Sequence, residues 1–131
     1  MKAELNWVEG MEFNSKGDSG HNIVIDASEE NKGPNPMELV LNGVAGCTAI
    51  DIVVILDRMR LELEDLNIKV EGKRAEEPPK KFTEINLDYK LKGKDLTEHK
   101  VERAIKLSIE KYCSASNSLD AEINYTYTIE D

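Results

Sequence analysis

Residues 35–56 read NPMELVLNGVAGCTAIDIVVIL, and they form the most apolar run in the chain. The pair Asn35 and Pro36 is typical of a helix N-cap followed by the first helical residue. We therefore predict a long helix that begins at Pro36 and ends at about Met59 or Arg60. The helix is apolar on nearly every side, so other elements must cover most of its surface.

The length of this run also raises the question of a membrane span. Asp51 argues against one, because an aspartate near the middle of a membrane helix costs about 2.5–3.5 kcal/mol on insertion scales. The rest of the chain alternates like a soluble sheet protein. We therefore predict a buried core helix and no membrane association.

The segments before and after the long helix show the alternation of polar and apolar residues that is typical of β-strands. Upstream, short strands joined by glycine-rich turns are predicted around Trp7 and residues 23–25. Downstream, residues 66–70 and 85–91 predict the two strands of a hairpin. Residues 123–129 predict a final strand.

A second helix is predicted between the hairpin and the final strand. Residues 95–98 read DLTE, which resembles a capping box that opens a helix at Asp95. One face of that helix carries apolar side chains at Val101, Ala104, Ile105, Ile109 and Tyr112. The order of elements predicts an α+β fold with antiparallel sheets packed on helices, in a single domain over residues 1–131.

One chain offers little apolar surface to cover the long helix. The second helix is amphipathic and the sheets are small, so they can cover only part of it. Gly43, Ala45 and Gly46 leave room for another backbone to approach closely. We therefore predict that a second copy covers the helix in an intimate homodimer.

Charge and cysteine content restrict the partners and the compartment. Lys plus Arg number 17 against 26 Asp plus Glu, a net charge of -9, which disfavours nucleic acid and anionic membranes as partners. The first residues are charged where a signal peptide would need an apolar run, which predicts a cytoplasmic protein. In that reducing compartment the two cysteines are buried thiols or redox-active thiols.

Cys47 has two interpretations. Free cysteine often fills a core as a small hydrophobic residue. Alternatively, Cys47 is a thiolate nucleophile, which requires stabilisation of its charged form. Asp51 lies one helical turn later on the same face, and its carboxylate disfavours a thiolate unless a cation pairs with it. We expect Asp51 to pair with Lys, Arg, His or backbone donors.

The remaining candidate residues are less specific. Cys113 is either a buried residue at a helix end or a resolving thiol that attacks an oxidised Cys47. Glu38 is a first-turn acid, and on an unbroken helix it lies opposite Cys47. The cysteines form no C-x-x-C pair, and His21 and His99 are too scattered to indicate a metal site. The sequence therefore predicts no metal and no cofactor, and it leaves the role of His21 open.

Several segments together resemble the OsmC/Ohr family, and more closely its YhfA-like branch. The first cysteine motif of that family is similar to residues 35–39 (NPMEL) and 45–51 (AGCTAID), and the second is similar to residues 112–114 (YCS). Smaller matches lie at residues 7–10, 20–21, 25–26, 82–83 and 95–96. The resemblance covers essentially the whole chain.

The resemblance implies an OsmC-like fold, an intertwined homodimer with the long helices at its centre, and a site at the dimer interface. In the peroxidases of this family, the first cysteine reduces an organic hydroperoxide and becomes a sulfenic acid. The second cysteine then forms a disulfide, which an external dithiol reduces. By this correspondence Cys47 is the peroxidatic thiol and Cys113 the resolving thiol.

The sequence departs from the peroxidase pattern at two positions. The family's peroxidases use an arginine from the N-terminal strands, but this chain has none before Arg58. They also place glutamate directly after the helix proline, where this chain has Met37 and, one residue later, Glu38. Two functions therefore remain open. One is a thiol peroxidase with a variant site, in which Glu38 and Asp51 are possible supporting residues. The other is a non-peroxidase member of the family that binds a small apolar ligand or partner at the dimer interface, with structural or redox-sensing cysteines.

Overall fold

The computed structural model describes residues 1–130, which fall into two compact units, Met1–Val40 and the chain from Leu41 onward. The first unit contains a three-stranded antiparallel sheet in the order β1-β2-β3. Its strands are β1 (Ala3–Glu9), β2 (Glu12–Gly17) and β3 (Asn22–Asp26). The predicted short N-terminal strands are therefore confirmed.

Helix α1 (Pro36–Arg58) begins at the predicted residue and ends within two residues of the predicted end. The Asn35 side chain caps it, because Asn35 Oδ1 accepts a hydrogen bond from the Glu38 amide at 2.9 Å. The same side chain donates from Nδ2 to Glu38 Oε1 at 3.0 Å. Glu38 is thus engaged at the helix N-terminus.

The buried surface of α1 is narrower than its composition predicts. Its fully buried side chains, four residues apart, are Val44, Thr48, Ile52 and Leu56. The apolar side chains of Ile50, Val53 and Val54 are 67%, 49% and 42% exposed. Within the second unit, one face of this helix is therefore uncovered.

The second sheet has the order β4-β5-β6. Its strands are β4 (Glu62–Arg74), β5 (Phe82–Lys94) and β6 (Glu122–Glu130). The hairpin β4–β5 and the final strand are confirmed, but β6 pairs with β5 in parallel rather than antiparallel fashion. The helical connection between β5 and β6 permits this, since a parallel pair requires a crossover segment.

The connection from β5 to β6 contains three helical segments. They are α2 (Glu98–Leu107), a π-helical turn (Ser108–Tyr112) and the short α3 (Ser114–Asn117). The predicted helix start at Asp95 is wrong by a few residues, because Thr97 is the N-cap and accepts from the Lys100 amide at 3.3 Å. Asp95 instead adopts a positive φ of 58° in the preceding turn.

The core of the second unit lies between the buried face of α1, strand β5 and the buried face of α2. Its fully buried β5 side chains include Ile85, Tyr89 and Leu91. Val101, Ala104 and Ile105 are buried as predicted, whereas Ile109 is half-buried and Tyr112 is 48% exposed. Helix α1 is long and apolar enough to cross a membrane, with a mean hydropathy of 2.2, but a core helix has the same properties, and we interpret α1 as one.

Candidate functional site

The structure brings together both cysteines and one aspartate. Cys47 Sγ, Cys113 Sγ and a carboxylate oxygen of Asp51 all lie within 4.8 Å of one another. Cys47 and Asp51 are one turn apart on α1, so their side chains share a face. Cys113 is the residue that follows the π-helical turn, and its side chain lies at the same point.

The π-helical turn fixes Cys113. The Cys113 amide donates to the Ser108 carbonyl at 2.6 Å, which closes a bond five residues back along the chain. Cys113 Sγ in turn accepts a hydrogen bond from the Ser116 amide at 3.3 Å. The side chain of Cys113 is fully buried, whereas Cys47 is half-buried.

Burial raises the pKa of the Cys113 thiol above its usual value, because a thiolate is poorly solvated there. The hydrogen bond from Ser116 favours the thiolate but does not cancel this effect, and the neighbouring Cys47 raises the pKa further. Cys113 is therefore a protonated thiol at neutral pH.

The partner of Asp51 differs from the sequence expectation. Its Oδ2 accepts a hydrogen bond from the Ser108 hydroxyl at 2.8 Å, and Ser108 is fully buried. Within residues 1–130, Asp51 takes part in no salt bridge. The predicted pairing with a cation or backbone donor is thus wrong, and the second carboxylate oxygen stays available.

Two further hydroxyl groups lie beside the cluster. Tyr89 is fully buried, and its hydroxyl has no hydrogen-bond partner among the described residues. Burial raises the pKa of Tyr89 to about 12, an interaction with the Thr48 hydroxyl opposes this rise, and the neighbouring Cys113 and Asp51 add to it. Thr48, also buried next to this phenol, donates its own proton to the Ala45 carbonyl at 3.0 Å. Tyr89 therefore keeps its proton and is a hydrogen-bond donor close to the thiols.

A surface depression of about 290 Å³ lies beside Asp51. Its lining residues are Asp51, Val54, Ile55, Arg58 and Tyr112. The Lys111 ammonium lies 5.3 Å from the centre of the Tyr112 ring, so a second cation is near its edge. The depression is open and largely apolar, with Arg58 as a cation in its wall.

The other candidate residues lie outside this cluster. Glu38 is exposed and hydrogen-bonds the Asn35 side chain. His21 is exposed, with Nδ1 3.0 Å from the Ser19 hydroxyl, and His99 is exposed on α2. These contacts give Glu38 a capping role and His21 a contact within its turn.

Sequence reasoning missed Ser108, Ser116 and the hydroxyl of Tyr89. Ser108 carried a weak signal, because it follows an apolar helical face yet is polar. Tyr89 falls within the strand predicted at residues 85–91, but the alternation of polar and apolar residues does not show where its hydroxyl group lies.

The match to a family model decides the classification of the chain. Residues 29–128 match the model described as OsmC-like protein, which is most of the chain. The chain belongs to the OsmC-like family. Protein YhfA of Escherichia coli K12 is 43% identical over 130 residues, covering 99% of this chain and 97% of YhfA. The OsmC-like assignment made from the cysteine motifs is therefore confirmed.

Solved structures confirm the OsmC-like fold. The crystal structure of a hypothetical protein from Aquifex aeolicus is 36% identical, with a TM-score of 0.83 and coverage of 99% of this chain and 97% of that one. The organic hydroperoxide resistance protein OhrB of Bacillus subtilis is 18% identical, with a TM-score of 0.66 and coverage of 98% of both chains. At that identity the likeness to OhrB concerns the fold alone.

Replacing Asp51 by asparagine tests how this OsmC-like site treats its first thiol. We expect Cys47 to react roughly two- to tenfold faster with iodoacetamide near neutral pH, because a nearby negative charge no longer opposes the thiolate. Asp95→Asn, at an exposed position before α2 whose positive φ asparagine also tolerates, is the matched control and should not change the rate. An unchanged rate combined with a lower melting temperature would leave Asp51 with a purely structural role.

Proposed function

We propose that the protein is a thiol-dependent peroxidase that reduces organic hydroperoxides through Cys47 and Cys113. The observation that carries this proposal is the approach of the two sulfur atoms to within 4.8 Å. A disulfide bond is about 2.05 Å long, so side-chain rotation and a small shift of the π-helical turn can close it. Membership of the OsmC-like family supports the same chemistry.

The difference in exposure of the two cysteines supports the roles that we propose for them. Cys47 is half-buried and can meet a peroxide from solvent, whereas Cys113 is fully buried and cannot. The Cys47 thiolate attacks the outer oxygen of the hydroperoxide, the O–O bond breaks, and the departing alkoxide takes up a proton to become an alcohol. Cys47 is left as a sulfenic acid.

Cys113 completes the first half of the cycle. Its sulfur attacks the sulfenic sulfur of Cys47, a disulfide forms, and hydroxide leaves with the thiol proton as water. Burial raises the pKa of Cys113, so this thiol is protonated at neutral pH. Its thiolate becomes more abundant as the pH rises above neutral, and disulfide closure should become faster. An external dithiol then reduces the disulfide by exchange and restores both thiols.

The depression beside Asp51 suits an alkyl or aryl hydroperoxide better than hydrogen peroxide. Val54, Ile55 and the ring of Tyr112 line it, and its volume of about 290 Å³ matches a small organic group. Arg58 lies in the same wall, but it follows Cys47 on α1 by about 16 Å along the helix axis and therefore does not contact the reacting sulfur.

A homodimer is part of this proposal. The uncovered residues of α1, Ile50, Val53 and Val54, form an apolar surface next to the turn that bears Cys47 and Asp51. A second copy would cover this surface and restrict access of water to the thiols. We further propose a cytoplasmic location, where dithiol reductants are available.

Intact-mass spectrometry after one equivalent of cumene hydroperoxide tests the function. We expect the reduced chain to lose about two mass units, one hydrogen from each thiol, and dithiothreitol to reverse the loss. Peptide mapping should place the disulfide between Cys47 and Cys113. Two free thiols after an excess of cumene hydroperoxide would contradict the peroxidase and favour a protein that binds an apolar ligand at the exposed face of α1.

A further inference from the structure

The group of Cys47, Asp51 and Cys113 has a chemistry that peroxide reduction does not use in full. Two thiols and a carboxylate offer one ligand atom each, within 4.8 Å of one another. We propose that the reduced protein binds one thiophilic divalent metal ion of the zinc class at these three side chains. This inference requires only the reduced thiols and does not rest on the proposed peroxidase activity.

The spacing of the three atoms is close to that of a tetrahedral zinc site. Zinc binds sulfur at about 2.3 Å and carboxylate oxygen at about 2.1 Å, so ligand atoms lie roughly 3.6–3.8 Å apart around the ion. Each pair of ligand atoms here lies within 4.8 Å, and a contraction of about 1 Å or less brings the pair into range. The half-buried Cys47 can supply most of that movement by rotation about its side-chain bonds.

The surrounding hydrogen bonds already orient the ligands. Ser108 occupies Oδ2 of Asp51 and leaves Oδ1 for the ion. The Ser116 amide donates to Cys113 Sγ, which supports a thiolate at that position. Such outer contacts fix the direction of metal ligands in known sites and contribute to affinity.

The hydroxyl of Tyr89 is a further polar group beside the three ligands. It is fully buried and makes no hydrogen bond of ordinary geometry among the described residues, although the Thr48 hydroxyl is close enough to lower its pKa. An ion held by three side chains keeps a fourth position for water or hydroxide, to which the Tyr89 hydroxyl can donate.

The type of ligand decides the type of ion. Thiolates select zinc, cadmium and related soft ions, whereas magnesium and calcium prefer oxygen ligands alone. Binding requires both thiols to lose their protons, which the ion's charge compensates. A disulfide between the same sulfurs provides no thiolate, so oxidation and metal binding exclude each other. The sequence predicted no metal site, because the two cysteines are far apart in the chain.

Titration calorimetry of the reduced full-length protein with Zn²⁺ tests the proposal. We expect one ion per chain and the release of about two protons, measured from the dependence of the heat on buffer ionisation. With Co²⁺ as a spectroscopic probe, we expect the absorption bands of tetrahedral cobalt bound to thiolate. Saturating Zn²⁺ should also protect Cys47 of the unmodified protein from iodoacetamide.

Variants locate the site. Cys47→Ser and Cys113→Ser should each lower Zn²⁺ affinity by more than about 100-fold, beyond the 10–100-fold typical of outer contacts. Asp51→Asn should lower it at least about tenfold, whereas Asp95→Asn, at an exposed position before α2, should leave it unchanged. Tyr89→Phe should keep one ion per chain but alter the cobalt spectrum through the fourth ligand.

Clear outcomes would overturn the inference. Reduced wild-type protein that binds no Zn²⁺ at micromolar concentration contradicts it, as does unchanged affinity in Cys47→Ser. If Cys113→Ser does not fold, the half-buried Cys47→Ser variant and the protection experiment on wild type still decide the question. Zinc binding without any peroxide reaction would refute the proposed function and leave the metal site intact.

Discussion

Cys47→Ser should abolish consumption of cumene hydroperoxide, whereas Cys113→Ser should preserve one reaction per chain and prevent disulfide closure. Cys47 is the thiol that solvent can reach, and Cys113 is fully buried behind it. A serine hydroxyl at position 47 cannot reduce the peroxide. Peroxide consumption by an iron–xylenol orange assay and intact mass on the same samples measure both effects.

Over-oxidation separates the two roles further. Without Cys113, the sulfenic acid at Cys47 has no partner, and excess peroxide should carry it to the sulfinic state, a gain of about 32 mass units. Wild-type protein under the same conditions should resist this change, because the disulfide protects Cys47. Equal peroxide consumption by Cys47→Ser and wild type would show that Cys47 does not take part in the reaction. If wild-type protein consumes peroxide without losing two mass units, Cys113 does not take part in it.

Gly46→Leu should convert a homodimer into a monomer or a partly unfolded chain. A Cβ atom added at Gly46 meets nothing within 4 Å in the protomer, apart from its own helix backbone and its chain neighbours. In an isolated protomer the change should stabilise helix α1, since glycine costs about 0.8–1.0 kcal/mol relative to a good helix former. At a close contact between two helices it should instead destabilise by about 1–3 kcal/mol through overpacking. The sign of the change in stability therefore shows whether a second copy covers the face of α1 that carries Gly46.

Size-exclusion chromatography with light scattering at micromolar concentration gives the mass, and thermal unfolding gives the sign of the stability change. Gly46→Ala should have a smaller effect than leucine, because it adds a single methyl group. Lys100→Leu places the same side chain at an exposed position of α2 and should leave the mass unchanged. A folded wild-type monomer, or a Gly46→Leu variant with unchanged mass and higher melting temperature, would refute the dimer.

Local patterns predicted most of the elements but not all of their orientations. The cap at Asn35 and Pro36 set the start of α1, and two-residue alternation located the strands of the second sheet. Alternation is the same in parallel and antiparallel strands, so it could not reveal that β6 runs parallel to β5. The capping-box pattern predicted the start of the second helix at Asp95, whereas the hydroxyl of Thr97 caps it.

The candidate site was predictable only where its residues are close in sequence. Cys47 and Asp51 share a face because they are four residues apart on one helix. The proximity of Cys113 to Cys47 was predicted only from the family resemblance, because it depends on tertiary packing between residues that are 66 positions apart. The exposure of Tyr112 escaped prediction because a regular α-helical phase continued through residues 108–112 does not describe the π-helical turn.

That turn makes the spacing of the site sensitive to chain length. Its first residue bonds the Asp51 carboxylate, and the residue after its last carries the second sulfur. Deleting a single residue between them would turn the five-residue step into the ordinary four-residue step, in which the Cys113 amide still reaches the Ser108 carbonyl. The sulfur would then keep its direction, whereas deleting two residues would rotate it by about 100° away from Cys47. This segment can therefore lose one codon and keep the site, but it cannot lose two.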